Sequence, residues 1–592
     1  MIIRSLLSKK EKALSNVVGV YQSVAEHGST CPCHGIKVSL CMKSNKNNNS
    51  VNNKVTGSSS STTSTTLNLP IIFDFKNGIK KQYQQQQQQQ QYHNQQQRLH
   101  YSVGGGLDTF KRSASSSSSS AAAADTDYAF EMATSNIRYG PGVTRDVGFD
   151  MLDLNCKNVV VFTDKNLVAL GNESPVWTVC DSLKKNGVNF VVFDNVSIEP
   201  TDKSFKEAIQ FVLNQERPVD GFVAVGGGST IDTAKAANLY STFPTENFLD
   251  YVNAPVGLAK PIPGALKPLI AIPTTAGTGS EATGVAVFDL LEMNAKTGIA
   301  SRRLKPTLGL VDPNNTRTMP RNVAISSGFD QLCHALESYT ALLFSNRTPR
   351  PLTPIQRPAY QGSNPISDIW SLQSLKMIHE YLPMAVEDPS NDEARSKVML
   401  AATYAGIGFG NAGVHLCVSC TIFYLQSNQI FSLAYPVSGM VKTYRPDGYS
   451  ADHPIIPHGM SVVLNAPAVF KFTASANVDR HRLCASLMGA DMTNVRDEDV
   501  GLVLSDQIKK IMKRLNIPDG LSAGMSSIIT IDCLILTINT MKTNYILVGF
   551  NRDDIPELVK GTLPQHRVTK LSPRPVGAEE LAKLFEDSMS IY

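Results

Sequence analysis

The chain has 592 residues, 42% apolar and 18% charged, with a formal charge of +4 at pH 7. That length allows two or three domains, and so small a charge gives no reason to expect a nucleic-acid partner. No run of roughly eighteen apolar residues occurs, so no membrane-spanning helix is expected, and the ten scattered cysteines suit a reducing compartment.

The first twenty residues are apolar and basic, with Arg4, Lys9, Lys10 and Lys12 set against the single acid Glu11. Ile2, Ile3, Leu6 and Leu7 can share one helical face. This composition predicts a mitochondrial transit peptide over residues 1–40 and a matrix location, a basic disordered tail being the alternative. Residues 41–125 carry the tracts Asn47–Asn49, Gln84–Gln91 and Ser115–Ser120. Such polar low-complexity sequence cannot bury enough apolar area to offset its ordering entropy, so a disordered N-terminal region is expected. Cys31-Pro-Cys33-His34 could be half a zinc site, but no second half follows it.

Ordered sequence begins near Asp127. The apolar runs Val159–Phe162, Val191–Phe193, Phe222–Val225, Leu269–Ile272 and Leu308–Val311 alternate with helical patterns. Continuous Val/Ile/Leu runs of this length predict buried parallel strands, hence an α/β Rossmann-like nucleotide-binding domain over residues 126–315. After Pro320 the strand signals fade. Helical patterns at Asp368–Tyr381, Asp392–Gly406 and Val500–Leu515 predict an all-α C-terminal metal-binding domain over residues 316–592, with a cleft between the two.

The Phe222–Val225 strand runs into Gly226-Gly227-Gly228-Ser229 and then a helix carrying Asp232 and Lys235. Glycines there let backbone N–H groups approach a pyrophosphate at a helix N-terminus. A tight strand-to-helix turn would favour the same glycines, and the text is neither G-x-G-x-x-G nor a P-loop. A second polar loop, with Thr274, Thr275 and Thr278, follows the Leu269–Ile272 strand. Two such loops at the carboxyl ends of neighbouring strands predict a ligand crevice. Further on, Asp330 and His334 stand four residues apart on one helical face. The pair can hold one divalent metal or make an ordinary helix-surface contact; Pro457-His458-Gly459 lies downstream.

Taken together, Gly-Gly-Gly-Ser-x-x-Asp-x-x-Lys, Pro-Thr-Thr-x-Gly-Thr-Gly-Ser-Glu, Gly-Phe-Asp-x-x-x-His-Ala-x-Glu and Pro-His-Gly resemble the iron-containing (group III) alcohol dehydrogenases, in order, from about Asp127 to Tyr592. Within that family the chain is most similar to the mitochondrial hydroxyacid-oxoacid transhydrogenases, through Asp127–Met132, Ser135–Tyr139, Arg357–Asp368 and Lys560–Gln565. The resemblance implies a dehydroquinate synthase-like fold with tightly bound NAD in the cleft. Asp164 matches the ribose-contacting position, Gly226–Ser229 the pyrophosphate loop, and Thr274, Thr275 and Thr278 the rest of the crevice. Asp330, His334 and His458 match three of four metal ligands, for Fe2+ or Zn2+, and Tyr435 replaces a second, non-ligand histidine. The implied chemistry is metal-assisted hydride exchange with nicotinamide. A hydroxy acid such as 4-hydroxybutyrate reduces the bound cofactor and an oxo acid such as 2-oxoglutarate reoxidises it. Carboxylate substrates need a fixed cation, for which Arg567, Lys570 and Arg574 are candidates. No nucleic acid or membrane is implied, and a homo-oligomer is compatible with the resemblance.

Two stretches depart from the pattern. Where a His-Gly pair with the remaining ligand is expected, residues 418–432 read Val-Ser-Cys-Thr-Ile-Phe-Tyr-Leu-Gln-Ser-Asn-Gln-Ile-Phe-Ser. His415 is nearby but matches a non-ligand position. Residues 524–547 have no counterpart either, and removing them restores continuous family text from Ala523 to Val548. The ends of this second stretch can be encoded as in-phase splice sites, and the first also opens on a codable donor, Val-Ser, although removing all fifteen of its residues leaves no His-Gly. Translated introns are expected, genuine loop insertions being the alternative. If the chain is as written, three ligands remain and metal binding is weakened. The competing functions are then an ordinary NAD-dependent alcohol dehydrogenase and an inactive nucleotide-binding form.

Overall fold

Six parallel strands, in the spatial order Asn136–Tyr139, Leu308–Val311, Leu269–Pro273, Gly221–Gly226, Asn158–Phe162 and Asn189–Phe193, carry the site. The computed structural model describes residues 126–592 except 255, 294, 418–436, 438–440, 442–443, 445, 450–453, 524–547 and 563–568. The transit-peptide and low-complexity expectations, both departing stretches, Tyr435 and Arg567 lie outside the described residues. The described residues belong to one compact unit.

The first half runs β1 (Asn136–Tyr139), α1 (Val147–Asp153), β2 (Asn158–Phe162), α2 (Lys165–Ala169), α3 (Pro175–Lys185), β3 (Asn189–Phe193), α4 (Asp202–Leu213), β4 (Gly221–Gly226), α5 (Gly228–Thr242) and β5 (Leu269–Pro273). An antiparallel hairpin, β6 (Val285–Leu290) and β7 (Ala295–Ala300), precedes β8 (Leu308–Val311). All five predicted apolar runs are strands of the parallel sheet. β4 and β5 are buried at every residue, as central strands covered on both faces must be. Two elements escaped the pattern. β1 is a four-residue edge strand, Asn-Ile-Arg-Tyr, with no apolar run. The hairpin's first strand holds the apolar run Val285–Phe288, which was not read, and its second strand, Ala-Lys-Thr-Gly-Ile-Ala, is not continuously apolar.

The second half is helical: α6 (Arg321–Thr340), α7 (Pro365–Glu387), α8 (Asp392–Ala412), α9 (His458–Val463), α10 (Ala466–Thr473), α11 (Val478–Leu487), α12 (Val500–Arg514), α13 (Ile555–Lys560) and α14 (Ala578–Met589). Every residue of α6 from Gly328 to Thr340 is buried, so this helix is the spine of the helical core, with Phe329, Leu332 and Leu336 at its centre. A helix enclosed on all sides needs no amphipathic stripe. Asp330 and His334 are therefore buried with it. Among the described residues, no helix is long and apolar enough to cross a membrane.

Candidate functional site

The carboxyl ends of β2, β4 and β5 meet the helical half in a crevice of about 540 Å³. Asp164 stands two residues past the end of β2 and caps α2, its Oδ1 accepting from the N–H of Asn166 at 2.9 Å and of Leu167 at 3.1 Å. Burial raises its carboxyl above the usual aspartate range. β4 ends at Gly226, opposite Pro273 of β5, so the two loops that follow are neighbours. The N–H of Thr274 donates to the Gly226 carbonyl at 3.0 Å, stitching them together. A methyl group on Gly228 would meet Thr278 Cγ2 at 2.7 Å, so the loops pack too closely for any side chain there. No side chain caps the N-terminus of α5, which leaves that end to a ligand. Asp164, Gly227, Gly228, Ser229, Thr274, Thr275 and Thr278 all line the crevice.

A smaller chamber of about 130 Å³ shares Gly228, Ser229, Thr278, Asp330 and His458 with it. Here Asp330 Oδ1 lies 3.6 Å from His334 Nε2 and 3.5 Å from His458 Nε2. The oxygen is buried without a hydrogen-bond partner. Burial, with Glu199 and Glu337 nearby, raises the Asp330 carboxyl well above its ordinary value. Burial pushes His334 down to about 3 and His458 down to about 4, so both imidazoles are neutral near pH 7. His334 is also stacked on Phe409, ring centroids 4.0 Å apart. Among the described residues no three such side chains already form a finished metal cage. The donor set nevertheless fits a divalent cation. An uncompensated buried carboxylate oxygen between two neutral imidazole nitrogens is costly by itself and is relieved by positive charge.

Residues 134–313 match the family described as iron-containing alcohol dehydrogenase, and residues 359–420 match the Fe-containing alcohol dehydrogenase family, C-terminal. The hydroxyacid-oxoacid transhydrogenase, mitochondrial, of Bos taurus is 54% identical over 467 residues, covering 79% of this chain and 91% of its own length. The protein of that name from Homo sapiens is 53% identical with the same coverage. The chain belongs to the iron-containing alcohol dehydrogenases. Its fold matches the crystal structure of 1,3-propanediol oxidoreductase, with a TM-score of 0.61 and 22% identity over 78% of this chain and all of that one. It also matches sulfoacetaldehyde reductase from Bifidobacterium kashiwanohense in complex with NAD+, with a TM-score of 0.57 and 23% identity over 79% of this chain and 99% of that one. This iron-containing alcohol dehydrogenase is accordingly a mitochondrial oxidoreductase that acts on small molecules with NAD and a divalent metal.

The fold draws the expected residues into two groups. Asp164, Gly227–Ser229, the three threonines and the Asp330/His334/His458 cluster converge on the crevice and chamber, and Gly226 supports them from the end of β4. Lys235 is not brought there. Its ammonium is fully buried and donates to the Val285 carbonyl at 2.7 Å, with Asp232 Oδ1 at 3.3 Å. Asp232 touches the chamber but also accepts from the Val287 N–H at 3.0 Å, so the pair clamps α5 to the hairpin. Arg574 lies over the Phe472 ring, 4.1 Å from its centroid, and neither it nor Lys570 lines the crevice or the chamber. His415 faces Glu337 and Thr340 instead of Asp330, with Nε2 2.9 Å from Thr340 Oγ1 and Nδ1 3.2 Å from Glu337 Oε1.

Two charged lining residues were missed from the sequence, Glu199 and Lys296. Glu199 follows β3, and the carboxyl end of a sheet strand is a position that could have drawn notice. Lys296 left no comparable signal.

Proposed function

We propose that this protein is a hydroxyacid-oxoacid transhydrogenase. It oxidises 4-hydroxybutyrate to succinate semialdehyde and reduces 2-oxoglutarate to 2-hydroxyglutarate on an NAD that stays bound. The observation that carries the reading is the continuity of crevice and chamber, which puts Gly228, Ser229 and Thr278 on the same wall as Asp330 and His458. Similarity over nine-tenths of the Bos taurus transhydrogenase supports the substrate class.

The roles follow from the donors each residue offers. Asp164 takes the adenosine ribose, and Gly226–Ser229 at the start of α5 hold the pyrophosphate. Thr274, Thr275 and Thr278 orient the nicotinamide half. Asp330, His334 and His458 hold Fe2+ or Zn2+, since a carboxylate-imidazole set accepts either. When bound, the metal supplies Lewis-acid polarisation of the substrate oxygen and NAD supplies the hydride acceptor. Phe409, packed flat on His334, keeps water from that side of the chamber. Residues 1–40 direct the protein to the matrix, and residues 418–432 and 524–547 are translated introns; removing 524–547 restores continuous family text, whereas removing all of 418–432 leaves no His-Gly.

The test is to incubate purified protein with 4-hydroxybutyrate and 2-oxoglutarate and no added NAD. Equimolar succinate semialdehyde and 2-hydroxyglutarate are expected. A requirement for added NAD+ with indifference to the oxo acid makes it an ordinary dehydrogenase. NAD binding without turnover after metal addition favours an inactive nucleotide-binding form, the reading that residues 418–432 support as they stand.

A further inference from the structure

If the substrates are hydroxy and oxo acids, as proposed above, each presents a carboxylate that a buried site must neutralise. Among the described residues lining the crevice and the chamber there is one lysine and no arginine, and that lysine is Lys296 of β7. Its side chain is 7% exposed and its ammonium is held by two carboxylates, Glu199 and Asp289, the latter at 3.3 Å. The two carboxylates differ in how they are mounted. Asp289 is the direct cross-strand partner of Lys296 in the β6–β7 hairpin, so that contact is built into the sheet register. Glu199 reaches in from the opposite wall, on the loop between β3 and α4, and lines both cavities. Its backbone has φ of 51°, a left-handed conformation unusual for a glutamate and typical of strained functional positions. Its side chain is 26% exposed, and the residue lines the crevice.

We propose that Lys296 receives the carboxylate of the substrate, and that Glu199 occupies this anion position until the substrate displaces it. The exchange of one carboxylate for another keeps the buried ammonium compensated throughout, while Asp289 stays in place. An uncharged alcohol cannot take the place of Glu199, so the pair selects acids by excluding neutral substrates as well as by attracting charged ones. Lys296 is thus a specificity-determining residue supplied by the hairpin, separate from the Asp330/His334/His458 cluster.

The test is a calorimetric titration of NAD-loaded protein with succinate, a four-carbon probe that cannot turn over, and with uncharged 1,4-butanediol. Lys296→Met should weaken succinate binding at least ~10-fold, the scale of a lost charge-assisted contact, with butanediol affinity and NAD affinity unchanged. Lys296→Arg should keep the preference for succinate. Glu199→Gln should bind succinate more tightly than wild type, because a competing anion is gone. Wild-type protein that does not bind succinate, a folded Lys296→Met protein that binds it normally, or a Glu199→Gln protein that binds it no better overturns the proposal. Should Lys296→Met not fold, the Glu199→Gln result decides. Succinate binding is read without turnover, so absence of transhydrogenase activity in the wild type refutes the functional reading and leaves this inference to be judged on its own.

Discussion

The N–H of Val548 donates to the carbonyl of Ala523 at 3.2 Å, so the chain meets itself at the two ends of residues 524–547. The neighbouring bonds Phe550 N–H to Leu521 O, at 3.0 Å, and Ser522 N–H to Met589 O, at 3.0 Å, hold both flanks in the helical core. These bonds among the described residues join the flanks to each other and to the end of the last helix.

Joining Ala523 directly to Val548 is therefore expected to leave the fold intact and to raise its stability. Closing a loop of this size costs about (3/2)RT ln n, or ~3 kcal/mol, and the deletion removes most of it. Thermal unfolding of the deletion variant beside the full chain checks this. A lowered Tm would show that residues 524–547 contribute to the fold.

Gly459→Ala is expected to push α9 off α6. The added methyl would lie 1.9 Å from the Ser326 carbonyl oxygen and 2.9 Å from Asp330 Cβ. Overpacking of this kind costs ~1–3 kcal/mol, and here the shift carries His458 away from Asp330. Denaturant unfolding should show the loss of stability, and a metal titration should show weaker binding in the same variant. Unchanged metal affinity would mean that the two helices need not touch for His458 to reach its place.

Protein of this sequence is expected to retain less than one equivalent of iron or zinc after dialysis against a weak chelator. Three donors with two neutral imidazoles can bind a catalytic metal, but the remaining position falls in residues 418–432, which offer no histidine. Elemental analysis by mass spectrometry checks this, and a full tightly held equivalent contradicts it. Peptide mapping of native protein across residues 416–436 and 522–550 should find His-Gly ahead of Leu433 and no peptide from 524–547.

Acid should release the start of the ordered chain before the sheet unfolds. Asp127 is buried beside Arg357, whose Nη2 lies 3.1 Å from its Oδ1. Burial alone would raise its carboxyl, but the Arg357 bond and the local backbone N–H groups outweigh it and hold the folded value below the ordinary 3.8. A lowered folded value means the contribution is complete above 3.8 and is lost as the pH falls through the folded value. Arg357→Ala should remove this acid-dependent part, read as faster proteolysis near Asp127 at neutral pH and a difference from wild type that closes below pH ~4. Equal acid sensitivity in the two proteins would show that the pair contributes nothing.

The parallel strands, the glycine loop after β4 and the shared face of Asp330 and His334 were legible in the sequence because each is written in a few consecutive residues. An apolar run must be buried, glycines mark a close backbone approach, and a spacing of four is fixed by helix geometry. The Val285–Phe288 run of β6 was legible in the same way but went unread. The edge strand β1 and the hairpin's second strand β7 were not legible, since strands without a continuous apolar run have no such signature. Nor was the direction of Lys235, which a helical repeat leaves open and which packing against the hairpin turned inward. The Glu199–Lys296 pair depended most on the fold. Its members are 97 residues apart, and neither position is marked by a motif. Only the docking of the hairpin against the loop after β3 brings the charges together, because a pairing between distant segments is set by where the sheet and helices place them.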